Sequence, residues 1–487
     1  MRYLIVVFIL SIINSSHGQV AFYRQYSENG SDFGQGIVQL EDDSYVVTGA
    51  SSSYTNNQSQ AFLMKLNDLG DVLWSANYGG LESDWGRRVL YKQGYGFYVC
   101  GFTNSYGNGA YDFYMVKTDE SGVEEWSKTY GDTGWEKVHD AALTRDTGVF
   151  MIGETNSTLN GDHDIYLVRT DKNGDTLWTK TLGGSGEDYG HSIVQKNDSV
   201  FIIGSTVYVT DSLQTKGYLA EIDEDGVVNW VDTIGSNGMY TLEDIWLDDD
   251  TIRCVGSHQF DLGVNLNNWR ASYKVSTNTL YQSVVDNNNG DSRNRCIARS
   301  GEGVAYYVGY NFATDNTFEG GEDLTVGRYQ YPLYFWVHQV TSVAHLGQDE
   351  PGDIIPTSDG GAIMTGYTSS DGLGGGNIFV LKIGPNVMYP DAVGVVTVTN
   401  FVGIEEVLSS NVKVSVYPNP ADNLITVEVD FDEEIQIELI DLTGNVVKTE
   451  SMFDKTSIAV SDLNAGMYTL RLSSKGQLLN VKRVIVK

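Results

Sequence analysis

An acidic residue recurs along the chain about 16 or 17 residues before a glycine that closes an apolar run. The acids are Asp32, Asp84, Glu136 and Asp188, with Tyr240 at the next such place and Asp291 and Asp349 near the two after it. Carboxylates on neighbouring loops suit Ca²⁺, which prefers oxygen ligands, so a partial circle of these acids could bind a cation. Each acid could instead cap its own turn by accepting backbone N–H bonds. Their recurrence favours capping, and the metal stays unassigned.

Aromatic and amide side chains concentrate in two segments that depart from the rest of the chain, SHQFDLGVNLNNWRASY and ATDNTFEGGEDLTVGRYQYPLYFW. Ligand sites combine apolar faces with a few polar groups, so these segments could bind a sugar or a peptide. The alternative is that the same side chains pack inside an irregular unit. The candidate ligand-binding residues are Phe260, Asn268, Trp269, Arg270, Tyr329, Tyr331 and Trp336.

Sequence signatures of catalysis are missing. The chain contains no GxSxG elbow, P-loop or HExxH motif, and its 3 cysteines and 7 histidines show no metal-ligand spacing. Pairs of carboxylates are plentiful, but glycoside hydrolysis depends on a separation that the sequence does not give. The sequence therefore favours binding over catalysis and predicts no cofactor, with Ca²⁺ as the one candidate ion.

The glycines that close the apolar runs define a repeat. They are Gly49, Gly101, Gly153, Gly204, Gly256, Gly309 and Gly366, spaced by 51 to 57 residues. Each unit contains four short runs of β-branched and aromatic residues, and the last two flank a turn such as TDESG or TDKNG. Asp and Gly favour such tight turns, so each unit is predicted to be a four-stranded antiparallel sheet. A repeat of this length is typical of propeller blades.

The two ends of the repeat complement each other. The seventh unit stops at NIFVLKIG without a fourth strand, whereas the segment AFYRQYSENGSDFGQGIVQ begins with one. The N-terminal strand is therefore predicted to complete the last blade, which removes exposed sheet edges. This predicts an all-β fold: a seven-bladed β-propeller over residues 19–388, a linker over 389–411, and a small β-sandwich over 412–487. The units resemble the repeat propellers of secreted bacterial proteins, and that resemblance implies fold alone.

The first residues indicate export. One Arg precedes an apolar stretch from Tyr3 to Ile13, and the small residues Ser16 and Gly18 follow. The stretch is shorter than the roughly 20 residues that span a bilayer. Residues 1–18 are therefore predicted to be a cleaved signal peptide, and no transmembrane segment is expected.

Charge narrows the range of partners. The net charge is −33, with 31 basic and 64 acidic residues, which excludes nucleic acid as a ligand. The three cysteines, Cys100, Cys254 and Cys296, lie in different units, so a disulfide framework is not expected.

The last 75 or so residues differ from the repeat and contain strictly alternating segments such as IQIELIDL and VKRVIVK, which predict half-buried strands. They resemble the type A C-terminal sorting domain of the type IX secretion system of Bacteroidota. The matching residues are Tyr417, Pro418, Asn419, Pro420, Gly466, Tyr468, Lys482 and Lys487. The resemblance implies binding to the secretion translocon and its processing machinery, and a secreted or cell-surface location reached through the periplasm.

These patterns together predict an exported propeller that acts as a binding or interaction scaffold for a glycan or a protein. The alternative is a secreted polysaccharide hydrolase or lyase whose cleft lies at the two aromatic segments.

Overall fold

The computed structural model describes residues 22–486 except 28–29, 54–57, 159–160, 210–213, 261–265, 287–289, 301–303, 314–322, 331–340, 344–347, 370–375, 386–395, 400–413, 418–420, 422, 430–433, 441–445, 465 and 475–476. The predicted signal peptide lies outside this range. Within it, the regular structure is strand, apart from one 3₁₀ turn at Val275–Thr277. The all-β prediction is confirmed.

The first three blades are four-stranded antiparallel sheets whose strands follow sequence order. Blade one contains β2 (Asp32–Gln39), β3 (Tyr45–Ser51), β4 (Gln60–Leu66) and β5 (Val72–Tyr78). Blade two contains β6 (Asp84–Lys92), β7 (Gly96–Thr103), β8 (Asp112–Thr118) and β9 (Glu124–Tyr130). Blade three contains β10 (Glu136–Leu143), β11 (Val149–Thr155), β12 (Asp164–Thr170) and β13 (Thr176–Leu182).

The next three blades repeat this order. Blade four contains β14 (Tyr189–Asn197), β15 (Val200–Val209), β16 (Gln214–Asp223) and β17 (Val228–Ile234). Blade five contains β18 (Met239–Asp248), β19 (Thr251–Gln259), β20 (Asn267–Lys274) and β21 (Thr279–Asp286). Blade six contains β22 (Gly290–Ser300), β23 (Val304–Ala313), β24 (Asp323–Gln330) and β25 (Thr341–Val343).

Blade seven joins strands from distant parts of the chain. It contains β26 (Asp349–Pro356), β27 (Ala362–Thr368) and β28 (Asn377–Ile383), and β1 (Phe22–Ser27) pairs with β28 so that Gln25 lies opposite Phe379. The predicted closure by the N-terminal strand is confirmed. A further strand, β29 (Val396–Thr399), pairs in parallel with β1. Part of the segment predicted as linker therefore extends this blade and covers its outer edge.

The first strand of every blade contacts the first strand of the next blade, and β26 contacts β2. The seven blades thus form a closed ring with these strands innermost. Apolar clusters fill the spaces between adjacent blades, as where Phe150 of blade three packs edge to face on Phe201 of blade four. The described interface between blades five and six is more polar, because Asn268, Arg270 and Asn294 are buried there.

The innermost strands share a β-bulge that explains the repeated glycine. In blade two the pairing passes from Gly86–Gly101 to Arg88–Cys100, which leaves Arg87 unpaired. The carbonyl of Trp85 then approaches β7 so closely that a Cβ on Gly101 would lie 1.7 Å from its oxygen. Equivalent contacts of 1.8–2.2 Å occur at five other repeat glycines, Gly49, Gly153, Gly256, Gly309 and Gly366. Only glycine fits opposite the bulge.

The outer strands are joined by a second recurring contact. The turn glycine Gly122 of blade two lies against the ring of Trp74 of blade one, and the hydroxyl of Tyr78 donates to the Gly122 carbonyl at 2.7 Å. The closing strand repeats this contact, because the Tyr26 hydroxyl donates to the Gly70 carbonyl at 2.7 Å. Ring closure therefore uses the same interaction as the other blade interfaces.

The C-terminal module contains two small sheets. One consists of β30 (Val414–Tyr417), β31 (Leu424–Val429) and β34 (Lys455–Ala459). The other consists of β32 (Ile435–Ile440), β33 (Val446–Met452), β35 (Gly466–Ser474) and β36 (Gln477–Val486). Alternate apolar residues of both sheets form one core that includes Val427, Ile437 and Leu470. The predicted sandwich is confirmed.

Replacement of Gly101 by Ala should destabilise the propeller by at least about 2 kcal/mol, because the new Cβ must displace the Trp85 carbonyl from the bulge. Gly184→Ala is the matched control, since a Cβ there meets nothing within 4 Å. Urea unfolding of the purified variants measures both effects. Equal stability of the two variants would contradict the proposed role of the bulge.

Candidate functional site in the central channel

The seven bulge residues line one cavity of about 210 Å³ at the centre of the ring. These residues form the bulge ring: Gln35, Arg87, His139, His191, Glu243, Arg295 and Gly352. The bulge turns each of these side chains or backbones towards the channel, because the extra residue has no partner on the neighbouring strand. The structural glycine repeats from blade to blade, whereas the bulge residue changes. Such variation indicates a position used for function.

Three aspartates next to the bulge ring connect neighbouring blades. Asp140 accepts the backbone N–H of Ile193 at 2.9 Å, and Asp244 accepts that of Ile297 at 2.9 Å. Asp353 accepts the N–H of Ile37 at 3.2 Å across the closure of the ring. These carboxylates therefore hold blades three to four, five to six, and seven to one together.

Arg88 neutralises two of these carboxylates. Its guanidinium contacts Asp353 at 2.8 Å and Asp140 at 3.2 Å. Asp353 is the largest cause of a raised pKa for Arg88, so the guanidinium stays charged at any physiological pH. Charge-assisted bonds of this kind are strong when water is excluded, and they give this layer of the channel a structural role.

Glu243 and Asp244 are adjacent in sequence but differ in ionisation. Burial opposes ionisation of Glu243, but Arg295, His191 and Arg293 outweigh it and lower its pKa to about 2. Burial raises the pKa of Asp244 to about 7, although bonds from the Ser192 hydroxyl and the Ile297 N–H oppose the shift. Burial also lowers the pKa of His191 to about 4, so this imidazole is neutral at pH 7.

A second set of side chains lies two residues before each bulge. These residues lie on the same innermost strands, and we call them the mouth ring. It comprises Phe33, Trp85, Lys137, Tyr189, Thr241, Arg293 and Glu350. Aromatic residues predominate on blades one to four of the mouth ring, and polar residues occupy it on blades five to seven.

Aromatic rings continue outward from this side of the mouth ring. Phe33 stacks on Tyr367 at 4.6 Å between ring centroids and contacts Trp85 at 5.2 Å. Trp85 in turn stacks on Phe102 at 5.9 Å. We call this series the aromatic crescent, and its members are Tyr367, Phe33, Trp85, Phe102, Tyr111 and Trp135.

A cation lies against the end of the crescent. The Lys137 ammonium is 4.6 Å from the centroid of Trp135 and 5.0 Å from that of Tyr111. Trp135 is 42% exposed, so this part of the crescent is open to solvent. The crescent thus presents aromatic surface and a positive charge beside the polar channel.

The recurring acids are not brought together. Asp84 accepts bonds from the Ser105 hydroxyl and the Gly80 N–H at 2.8 and 2.7 Å within its own blade region, and Glu136 accepts the Ser157 hydroxyl at 2.6 Å. These contacts agree with turn capping, as do those of Asp32 and Asp188. Among the residues described, no group of three or more His, Cys, Asp or Glu is placed to hold a metal ion. A Ca²⁺ site at these acids stays a prediction.

The predicted ligand residues of blades five and six divide into three groups. Phe260 is 58% exposed and packs edge to face on His258, so it could contact a ligand. Trp269 is fully buried on β20 and donates to the Ser283 hydroxyl, and this corrects its assignment to a binding loop. Asn268 and Arg270 are also buried, with Arg270 over the ring of Tyr307 at 5.3 Å. Tyr331 and Trp336 lie outside the described residues, as does the side chain of Tyr329.

The bulge ring and the crescent were missed by reasoning from the sequence alone. Their signal was nevertheless present: the residue after each recurring acid is Phe, Trp, Lys or Tyr, and two residues later come Gln, Arg, His and His. A fixed spacing with changing chemistry marks positions that face a common space. The two irregular segments attracted attention instead because of their length.

The thiols play no part in cross-linking. Cys100 and Cys254 are buried and free, and burial raises the pKa of both thiols. Cys296 is also free and borders the channel, where its thiol contacts the Gly352 carbonyl at 3.2 Å.

Several predicted sorting residues have defined surroundings in the C-terminal module. Tyr417 is 43% exposed, donates to Glu428 and accepts a bond from Lys455, both at close range. Tyr468 is buried and donates to the Asn464 carbonyl at 2.9 Å. Gly466 begins β35, and Lys482 of β36 pairs with Leu470 of β35. Pro418, Asn419, Pro420 and Lys487 lie outside the described residues.

Residues 415–487 match the family described as secretion system C-terminal sorting domain. No curated protein matches the chain in sequence. Among solved structures, the Pan2 WD40 domain of Neurospora crassa is 12% identical, with a TM-score of 0.44 over 73% of this chain and 97% of that one. A puromycin hydrolase is 10% identical, with a TM-score of 0.48 over 83% and 59%. The β-propeller domain of the Trilobed protease from Pyrococcus furiosus is 8% identical, with a TM-score of 0.42 over 73% and 94%. These likenesses concern the fold alone.

The chain is therefore a β-propeller that carries a sorting domain of the type IX secretion system. The sorting domain directs it to the cell surface or to the exterior. Across the described part of the chain, no helix has the length and apolar character needed to cross a membrane.

Replacement of Asp244 by Asn should change how stability depends on pH. The native carboxyl keeps its proton up to about pH 7, whereas in the unfolded chain it titrates near its ordinary value of 3.8. Its contribution to the free energy of unfolding therefore falls as pH rises from about 4 to 7, by at most about 1.4 kcal/mol per unit. Asn cannot ionise, so the variant should lack this decline.

Urea unfolding between pH 4 and pH 7.5 measures the difference between the variant and the parent. The hydrogen bond lost with Asn is the same at every pH, so only the slope is diagnostic. Asp198→Asn, at an exposed position, controls for the change in net charge. Parallel pH profiles for Asp244→Asn and the parent would show that Asp244 is not protonated in the native state.

Deletion of residues 413–487 should leave the propeller in the periplasm, because the sorting domain would be absent. Immunoblots of periplasmic, surface and medium fractions measure this. Lys448→Gln in the full-length chain, which removes an exposed contact with Asp462, is the control and should be exported normally. Arrival of the truncated chain at the surface would contradict the role of the domain.

Proposed function

We propose that this protein is an exported carbohydrate-binding propeller whose ligand lies on the aromatic crescent and reaches the bulge ring. The continuous aromatic surface beside a polar channel carries this proposal. Flat aromatic faces pack against the apolar faces of sugar rings, and the polar groups of the channel can bond to hydroxyls. Export to the outside of the cell places the propeller where such ligands occur.

Variation among the blades supports this location. The glycines opposite the bulges, the turn aspartates and the capping acids recur because the blades need them to fold. The mouth and bulge rings vary, and the variation of the mouth ring is asymmetric: aromatic residues predominate on blades one to four, whereas Arg293 and Glu350 stand on blades six and seven. A ligand bound at such a site would have a defined orientation.

The channel acids favour binding over hydrolysis. Asp140, Asp244 and Asp353 each accept a backbone N–H from the next blade, and Glu243 pairs with Arg295 at 3.2 Å. A general acid or nucleophile must be available to the substrate, whereas these carboxylates are engaged in holding the ring. For the hydrolase alternative, the two aromatic segments of blades five and six are the only candidate cleft that remains from the sequence analysis.

Replacement of Trp85 by Ala should weaken glycan binding about tenfold or more, because Trp85 lies at the middle of the crescent and its loss separates Phe33 from Phe102. A glycan array with the secreted protein identifies a ligand, and calorimetry then measures its affinity for the variant. Tyr95→Ala is the control, since Tyr95 is exposed in the turn that follows the far end of β6.

If Trp85→Ala binds the glycan array as the parent does, the crescent is not part of the binding site. Glycan binding that is retained by Tyr95→Ala and lost by Trp85→Ala would support the crescent as the binding site. Turnover of a bound polysaccharide, detected as new reducing ends, would favour the hydrolase alternative.

A further inference from the structure

Two adjacent arginines of the channel have opposite environments. Arg88 contacts two carboxylates, Asp353 and Asp140. The guanidinium of Arg87 instead donates to the Gln35 side-chain carbonyl at 2.6 Å and lies 3.3 Å from His139 Nδ1. Within the part of the chain that the structure describes, no carboxylate lies within 4 Å of the Arg87 guanidinium. Among the residues described, Arg87 is thus a channel cation with no carboxylate in direct contact.

The surroundings of Arg87 disfavour its charge. Burial and the nearby Arg295 together lower the pKa of Arg87 to about 10, and the more distant Glu154 and Glu243 offset this only in part. Glu243 is already paired with Arg295 at 3.2 Å. A charge removed from water without a partner is unfavourable, so this arrangement gains free energy when an anion arrives. Such surroundings for a cation are unusual in a chain whose net charge is −33.

The position of Arg87 connects it with the aromatic crescent. Arg87 lies two residues after Trp85 on β6, at the bulge, so the two positions are about 7 Å apart along the strand. That separation is comparable to one sugar ring. A sugar packed on Trp85 would therefore present a ring substituent to the guanidinium, whose planar fork matches carboxylate and sulfate oxygens.

We propose that Arg87 binds an anionic substituent of the glycan, a carboxylate or a sulfate, and that the propeller selects acidic over neutral polysaccharides. This inference rests on the proposed carbohydrate-binding function and adds the class of sugar. His139 and Gln35 hold the guanidinium from either side.

The test compares three galactose-based probes by calorimetry with the full secreted chain: a galacturonate oligosaccharide, a sulfated galactan oligosaccharide and a neutral galactan oligosaccharide. At least one charged probe should bind about tenfold or more tightly than the neutral one. Arg87→Gln should weaken that binding by roughly 10- to 100-fold and should reduce the ratio of the affinities for the charged and the neutral probe. Which charged probe binds distinguishes carboxylate from sulfate.

Two arginine variants serve as controls. Arg145→Gln, at an exposed site, should bind the charged probe as the parent does. Arg88→Gln should lower the melting temperature because it leaves two buried carboxylates unneutralised, whereas Arg87→Gln should melt at or above the temperature of the parent. This contrast separates loss of binding from loss of folding.

Equal affinity for charged and neutral probes, or full affinity in Arg87→Gln, would overturn the assignment of Arg87 while leaving sugar binding by the crescent intact. Failure of all three probes to bind would overturn the inference. If the glycan array is also blank, the proposed function fails with it.

Discussion

The fold depends on one local constraint, the β-bulge of each innermost strand packed against a glycine of the next strand. The bulge brings a backbone carbonyl to within 1.7–2.2 Å of where a Cβ would stand at six of the seven repeat glycines. In return it leaves one residue per blade outside the ladder of hydrogen bonds. Because the innermost strands surround a single axis, seven such residues meet in one channel. The feature that demands glycine for folding is therefore the feature that creates the site.

In the channel, the residues that hold the ring together and the residues open to a ligand occupy different positions along each innermost strand. Residues directly after the bulge, such as Asp140 and Asp244, accept N–H groups from the next blade and hold the ring together. Residues at the bulge line the open space, and both they and the residues two before them differ from blade to blade. A carboxylate that bonds to backbone is costly to exchange, whereas a side chain that meets only the channel can change without loss of stability. Repetition and variation thus have separate physical causes.

Much of the fold was predictable, since it follows from local patterns. The turn residues, the alternating apolar strands and the period near 52 residues all indicate a four-stranded blade, and the missing strand of the last unit indicated closure through Phe379. The site was not predictable in the same way. Trp269 stood in a segment that resembled a binding loop, yet it lies on β20 opposite Gly256 and is buried in the core. Arg87 and Arg88 look alike in sequence and have opposite surroundings.

The sequence by itself determined the blade, the number of blades, the closing strand and the sorting domain, because each of these is specified by residues close together in the chain or by the match of its two ends. Only the tertiary structure decided which side chains share the channel, which arginine has no carboxylate in contact among the residues described and which aromatic rings form a continuous surface. Those relations join residues about 52 positions apart on separate sheets. Their geometry is set by how the sheets pack around the axis, and no local pattern encodes it.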